Sequence, residues 1–227
     1  LPDRTVSQEV TPAVEEYLEC IYRLQEKEGV ARTSSIVKTL RVAPGTVTNT
    51  VERLEEEGFV KHSSYRGVRL TEKGRRIALQ VVRRHRLSER LLVDLLKMDW
   101  DIVHETACRL EHSLTEEVVK HLEKALNYPR TCPHGNPIPN EQGKFSEEET
   151  QPLSELTEGE QGVIVKVVEE KPELLLHLKR LRMVPGAVVR IVEKPASDKQ
   201  VGVEVDGEKR VLSLSLASLI RVKGVGQ

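Results

Sequence analysis

The sequence predicts a mainly α N-terminal part, built as a winged helix-turn-helix plus a helical domain, followed by a small all-β barrel at the C-terminus. Two observations carry that expectation. Apolar residues recur at helical spacing from Val14 to Leu126, whereas after Pro152 the period changes to short β-branched runs. Between the two regions the pattern fails: Pro129, Pro133, Pro137, Pro139 and Pro152, with the run Glu147-Glu148-Glu149, have the composition of an irregular connection. The resulting division is 8–74, 75–140, a linker at 141–152, and 153–224.

Thr11-Pro12 opens a first helix, with Thr as N-cap and Pro at the first helical position. Val14, Tyr17, Leu18, Ile21 and Leu24 give its apolar face, and Gly29 ends it. Thr33 caps a short second helix, Ser34–Leu40. Pro44 opens a third that runs to Glu57 and is closed by Gly58. Phe59–His62 and Val68–Thr71 read as two strands around a turn. Thr71 then caps a long helix to about Lys97, followed by helices at 101–112 and 116–126. In the last part, Val163–Val168, Val188–Val192, Val201–Val205 and Val211–Leu214 are strands. Asp206-Gly207 is a hairpin signal, and a helix spans Glu173–Leu181.

The 227 residues are 38% hydrophobic and 31% charged, which excludes wholesale disorder. No apolar run approaches the ~18–20 residues of a membrane span. Leu1-Pro2-Asp3-Arg4 lacks the layout of a signal peptide, and three cysteines at irregular spacing make no disulfide framework, so a reducing cytoplasm is expected. Two Phe, four Tyr and one Trp are too few for a base-stacking platform. The net charge of −1 hides an asymmetry. Lys61–Arg90 holds ten Lys/Arg against two acids, and Glu141–Glu173 holds ten Glu against three Lys.

The basic block overlies the winged helix-turn-helix, an arrangement that reads DNA. In the third helix Val47, Val51 and Leu54 fall on one face. The opposite side offers Thr46, Thr48, Asn49, Thr50 and Arg53, short polar groups able to reach base edges, of which Asn pairs bidentately with adenine. Arg53, with Lys61, Arg66 and Arg69 on the wing, suits phosphates.

A second pattern is chemical. His104, Cys108, Glu111 and His112 share one side of a helix, and all four are transition-metal donors. His85 and Glu89 form an i, i+4 pair on the helix before, and Glu16 and Glu19 an i, i+3 pair on the first helix. Taken singly, each has a plainer reading: Cys108 a buried small hydrophobe, His85/Glu89 a surface ion pair, Glu16 and Glu19 surface acids. Cys20 reads as core. Cys132 and His134 sit in a Pro-rich loop; they could bind metal, but two donors there are a weak signal, and a structural loop is the favoured reading.

The stretches His85-Arg86-Leu87-Ser88-Glu89-Arg90-Leu91-Leu92 and Val103–His112, with the loop Gly135-Asn136-Pro137-Ile138-Pro139, resemble the diphtheria toxin repressor family of iron- and manganese-dependent transcription repressors. Residues 153–224, with Leu181-Arg182-Met183-Val184-Pro185-Gly186, resemble the SH3-like domain shared with ferrous-iron-transport protein A. The resemblance implies a primary metal site on Cys108, Glu111, His112 and Glu16, and an ancillary site on His85, Glu89 and His104. The ancillary site would be completed from the SH3-like domain, where Glu170 and Glu173 are candidates. Iron regulators of the family carry Met at the Glu16 position. The manganese branch carries an acid there and another three residues on, as Glu19 is, but Glu in place of Cys108. Fe2+ is the expected cofactor, Mn2+ the alternative, and Co2+, Ni2+ or Zn2+ could substitute.

The function so implied is that of a homodimeric repressor of metal homeostasis genes, whose metal ties the first helix to the dimerisation helices and brings two recognition helices into register with palindromic operator DNA. Val103, Ala107, Leu110, Val118, Leu122 and Leu126 would face the partner. No catalysis, small-molecule substrate or membrane association is expected. Competing readings are a manganese-responsive regulator, an iron transport or storage accessory protein, a metal-dependent hydrolase, and a winged-helix regulator sensing something else.

Overall fold

A computed structural model describes residues 10–63, 67–194 and 199–224. The chain divides into two compact units, Leu1–Arg84 with Pro139–Lys144, and His85–Ile138 with Phe145–Gln227.

The first unit is the winged helix-turn-helix. Its helices are α1 (Pro12–Glu28), α2 (Thr33–Leu40) and α3 (Pro44–Glu56), followed by the antiparallel hairpin β1 (Val60–Ser63) and β2 (Gly67–Leu70) and the start of α4 (Glu72–Arg90). The Thr11 hydroxyl accepts from Val14 N–H, and Gly29 closes α1 in the left-handed conformation at φ 74°. α2 starts one residue before the expected point: Thr33 is helical, and Arg32 takes the cap position without a side-chain bond. Leu18, Ile21, Ile36, Val47, Val51, Leu54, Phe59 and Val68 are all buried, so each helix commits its apolar stripe to one core. The hairpin is tied to α1 by Leu70 N–H donating to Gln25 Oε1 at 2.9 Å. The Thr71 hydroxyl caps α4 by accepting from Gly74 N–H at 3.2 Å.

The second unit holds the end of α4, which passes into a π-helical turn at Leu91–Leu95 and stops at Lys97 in the left-handed conformation. Next come α5 (Val103–Leu110), a 3-10 turn at Glu111–Ser113, and α6 (Glu116–Ala125), capped by the Thr115 hydroxyl. Leu92, Val103 and Ala107 pack together, as do Leu87, Val119, Leu122 and Ile138. Val103, Ala107 and Leu122, expected to face a partner, are therefore buried within the chain. The apolar side chains left exposed on these elements are Leu95, Leu96, Ile102, Val118 and Tyr128.

The C-terminal sheet has six antiparallel strands in the order β3-β8-β4-β5-β6-β7. They are β3 (Gln151–Pro152), β4 (Gln161–Val167), β5 (Val188–Glu193), β6 (Gln200–Val205), β7 (Glu208–Ser213) and β8 (Ile220–Gly224), with α7 (Pro172–Arg180) after β4 and α8 (Leu214–Ala217) after β7. Asp206 and Gly207 both take positive φ, as the two-residue β6–β7 turn requires. β3, α8 and β8 were not expected. Leu153, Ile164, Leu175, Leu178, Met183, Ile191, Val203 and Val222 form the core of this SH3-like domain.

Candidate metal centre

Four segments of the second unit bring nitrogen, sulfur and oxygen donors together. α4 contributes His85 and Glu89, one helical turn apart and both with fully buried side chains. α5 contributes His104 and Cys108, again one turn apart. The loop after α6 contributes Cys132 and His134, and the segment between β4 and α7 contributes Glu170. Glu89 Oε1 lies 3.1 Å from His85 Nε2, 3.4 Å from His104 Nδ1 and 3.3 Å from His134 Nδ1. Glu170 faces two of the same rings, Oε2 at 3.2 Å from His104 Nδ1 and Oε1 at 3.6 Å from His134 Nδ1. Within the second unit, three sets of donor atoms lie close enough together to hold one ion: His85, His104 and Cys108; His85, Glu89, His104 and Glu170; and Glu89, Cys132, His134 and Glu170.

The loop that brings Cys132 and His134 is built, not slack. Cys132 N–H donates to Asn136 O, Gly135 N–H to Cys132 O and Ile138 N–H to Arg130 O, at 2.8–2.9 Å. Arg90 donates to Thr131 O at 2.6 Å, and Arg86 to Pro137 O. On the other side the loop rests on β4, with Val167 N–H donating to His134 O at 3.0 Å. Gly135 allows this approach. Its φ is +86°, and a Cβ there would lie 1.9 Å from Val165 O. Asn136 Nδ2 donates to Glu170 Oε1 at 2.7 Å and to Val167 O at 3.2 Å, which fixes the carboxylate supplied by the SH3-like domain.

Outer contacts orient the rings. His134 Nε2 lies 2.7 Å from Trp100 O; a carbonyl only accepts, so Nε2 carries hydrogen and Nδ1 is the atom turned to Glu89 and Glu170. His85 Nδ1 lies 2.6 Å from Glu111 Oε2, a pairing that turns Nε2 toward Glu89 and His104. Hydrogen bonds of this kind set the tautomer of metal-binding histidines.

The charges respond to one another. Burial alone would push the His85 pKa down, but the Glu89 charge and hydrogen bonds to Cys108, Glu111 and Glu89 hold it well above the usual imidazole range. Burial would likewise push Glu89 up, and is outweighed by His85, His104 and His134, so that it lies well below the usual carboxylate range. Against burial, contacts with Cys108, Glu170 and Glu89 raise His104 to about 11, and contacts with Cys132, Glu170 and Glu89 raise His134. Against its own burial, Cys108 is lowered to about 7 by His104 and His85. Burial pushes Cys132 up. One atom stays out of this exchange: Glu89 Oε2 is buried and has no hydrogen-bond partner among the described residues. A buried, unpaired carboxylate oxygen costs several kcal/mol unless a cation meets it. A divalent transition cation therefore fits this mixed donor set.

Of the expected primary residues, Cys108 and Glu111 lie against His85, and His112 against Glu111. Cys108 Sγ is 3.8 Å from His104 Nε2 and 3.9 Å from His85 Nδ1. Glu111 is buried against His85, and His112 Nε2 is 3.2 Å from Glu111 Oε1. On α1, Glu16 is exposed; Glu19 is buried and accepts from Arg23 at 2.8 Å. Glu173 is exposed on the first turn of α7 and belongs to none of the three donor sets. Glu170, by contrast, is a full member, as are Cys132 and His134, for which the sequence favoured a structural loop over metal binding. The Cys-Pro-His spacing was the available signal.

On α3, Thr46, Thr48, Asn49 and Arg53 are exposed and Thr50 half-exposed, opposite buried Val47, Val51 and Leu54. The Thr48 hydroxyl donates to Pro44 O at 3.1 Å, and Arg53 lies 3.8 Å from Glu57. Lys61 and Arg69 are exposed on the wing; Arg66 lies outside the described residues.

A winged helix-turn-helix carried with a buried cluster of transition-metal donors defines a metal-responsive DNA-binding regulator. Comparison with known proteins agrees. Family models described as "Iron dependent repressor, N-terminal DNA binding domain", "Iron dependent repressor, metal binding and dimerisation domain" and "FeoA domain" match residues 9–68, 71–140 and 151–224. The iron-dependent repressor IdeR of Mycobacterium leprae is 35% identical over 96% of this chain and 99% of its own. The diphtheria toxin repressor of Corynebacterium efficiens is 32% identical over 96% and 97%. A solved structure of a manganese-dependent transcriptional repressor in complex with manganese superposes with a TM-score of 0.87 at 28% identity, over 93% of this chain and all of that one. The chain belongs to the iron-dependent repressor family.

Proposed function

We propose that this protein is a cytoplasmic, homodimeric transcriptional repressor that binds palindromic operator DNA when loaded with Fe2+ and so controls metal homeostasis genes. The observation that carries the metal half of this reading is Glu89, a fully buried carboxylate with one oxygen shared among three imidazoles and the other without a hydrogen-bond partner among the described residues, on the same chain as a winged helix. His85, Glu89, His104 and Glu170 are the donors from the second unit, with Cys108, Glu111 and His112 beside them. Glu16 and Glu19 on α1 join the set on family resemblance. A bound cation supplies positive charge that the clustered carboxylates otherwise obtain from protonated histidines. Thiolate and imidazole donors favour Fe2+, and Co2+, Ni2+ or Zn2+ could take its place.

Thr46, Thr48, Asn49 and Thr50 read bases in this proposal, while Arg53, Lys61, Arg66 and Arg69 hold phosphates. Dimerisation uses the exposed apolar residues of the second unit. A hundredfold shift toward the DNA-competent conformer requires about 2.7 kcal/mol of preferential metal binding, a modest demand on a multidentate site. A manganese-responsive regulator is the second reading, favoured by the carboxylates Glu16, Glu19 and Glu111.

The test is retention of a random-sequence duplex pool by chelator-stripped protein, with and without anaerobic Fe2+ or Mn2+. Enrichment of a palindrome with Fe2+ supports the first reading, and enrichment with Mn2+ alone the second. Equal retention with and without metal overturns both.

A further inference from the structure

We propose that Glu89 and Glu170 are shared carboxylates of a dinuclear centre, with one cation on His85 and His104 and a second on Cys132 and His134. The inference deepens the metal-dependent reading above and rests on it.

Its basis is that two donor sets use the same two carboxylates. His85 and His104 group with Glu89 and Glu170, and Cys132 and His134 group with the same pair. Among the described residues, neither Cys132 nor His134 joins a set with His85 or His104, so a single ion does not serve all four. Each oxygen of Glu170 faces a different set, Oε2 toward His104 and Oε1 toward His134. Glu89 Oε1 is within 3.4 Å of a ring from both sets, while Oε2 is buried with no partner among the described residues, leaving that carboxylate a second oxygen with which to bind. The rings are pre-oriented for the division: Trp100 O holds His134 through Nε2, and Glu111 holds His85 through Nδ1.

The experiment is anaerobic titration of chelator-stripped full-length protein with Mn2+, followed by low-temperature electron paramagnetic resonance and by counting bound ions after gel filtration. Exchange-coupled Mn2+ pairs are expected in the parent protein. Cys132→Ala should lose one ion and the coupling while keeping the other ion, and His104→Ala the converse; Glu89→Gln should lose both. In a Cys108→Ser background, Co2+ should show a thiolate charge-transfer band that Cys132→Ala removes. Uncoupled spectra from the fully loaded parent overturn the proposal whatever the variants do. So does removal of one and the same ion by Cys132→Ala and His104→Ala. Failure of metal to promote DNA retention, with coupling intact, would overturn the repressor reading and leave the dinuclear centre standing.

Discussion

Metal binding by this centre should release protons, and its affinity should rise with pH. His104 carries a proton at neutral pH, with its pKa raised to about 11 despite burial by contacts with Cys108, Glu170 and Glu89. Its Nδ1, placed 3.2–3.4 Å from the two carboxylates, must shed any proton before it can ligate a cation. The sign follows: the group is protonated below its pKa, metal competes with that proton, and each step up in pH below about 11 weakens the competitor. At pH 7, stripping the proton costs about 5 kcal/mol, a loss of about three to four powers of ten in affinity relative to a free imidazole. Titration calorimetry with Mn2+ in buffers of different ionisation enthalpy measures the release directly. At least one proton per bound ion is expected between pH 6.5 and 8, with about a tenfold gain in affinity per pH unit for each proton released. An affinity that stays flat across that window, with no proton released, would refute the reasoning.

Gly135→Ala places a methyl group against Val165 O at a left-handed φ, so it should destabilise the second unit by at least about 1–2 kcal/mol from the backbone term alone and weaken metal binding at Cys132 and His134; wild-type denaturation and wild-type affinity together would contradict the structural role of this loop. Asn49→Ala should relax sequence preference at one operator position, at about 1–3 kcal/mol, whereas Arg53→Ala should weaken binding to all sequences and reduce its salt dependence; a selection experiment at two ionic strengths separates these outcomes. Ile102→Asp, on an exposed apolar position of the second unit, should shift sedimentation toward the monomer while leaving the circular dichroism spectrum unchanged; an unaltered dimer would place the interface elsewhere.

The parts legible in the sequence are those whose physical cause is local. Capping by Thr11 and Thr71 is decided within four residues of the cap, and both hydroxyls are in place. The Asp206-Gly207 turn is fixed by its own backbone, and the register of β6 and β7 follows from it. Val47, Val51 and Leu54 declare the inner face of α3 by spacing alone. The strands that escaped notice are the ones whose cause is remote. β3 is two residues long and owes its conformation to pairing with β8, where Gln151 lies opposite Val222. β8 shows a short alternation, but its place between β3 and β4 depends on chain more than fifty residues away.

The same division runs through the metal centre and explains which donors were visible. His85 with Glu89, and His104 with Cys108, are spaced by one helical turn, so helix geometry alone puts each pair on a common face. Cys132 and His134 have no such regularity. Their carboxylate partners are Glu89, more than forty residues earlier, and Glu170, more than thirty later, and the approach depends on Gly135 fitting against β4 and on Asn136 holding Glu170. Glu170 is one of two candidate acids in the sequence, and only when the SH3-like domain folds beside the loop is it set apart from Glu173. A donor set drawn from α4, α5, a loop and the segment after β4 exists only when all four are assembled. A cation that binds it is therefore linked to that assembled state, and its binding free energy stabilises the loop and the SH3-like domain together. On this argument the C-terminal domain is part of the metal-sensing machinery, because without Glu170 and the β4 surface that seats the loop, both carboxylate-containing donor sets lose a ligand.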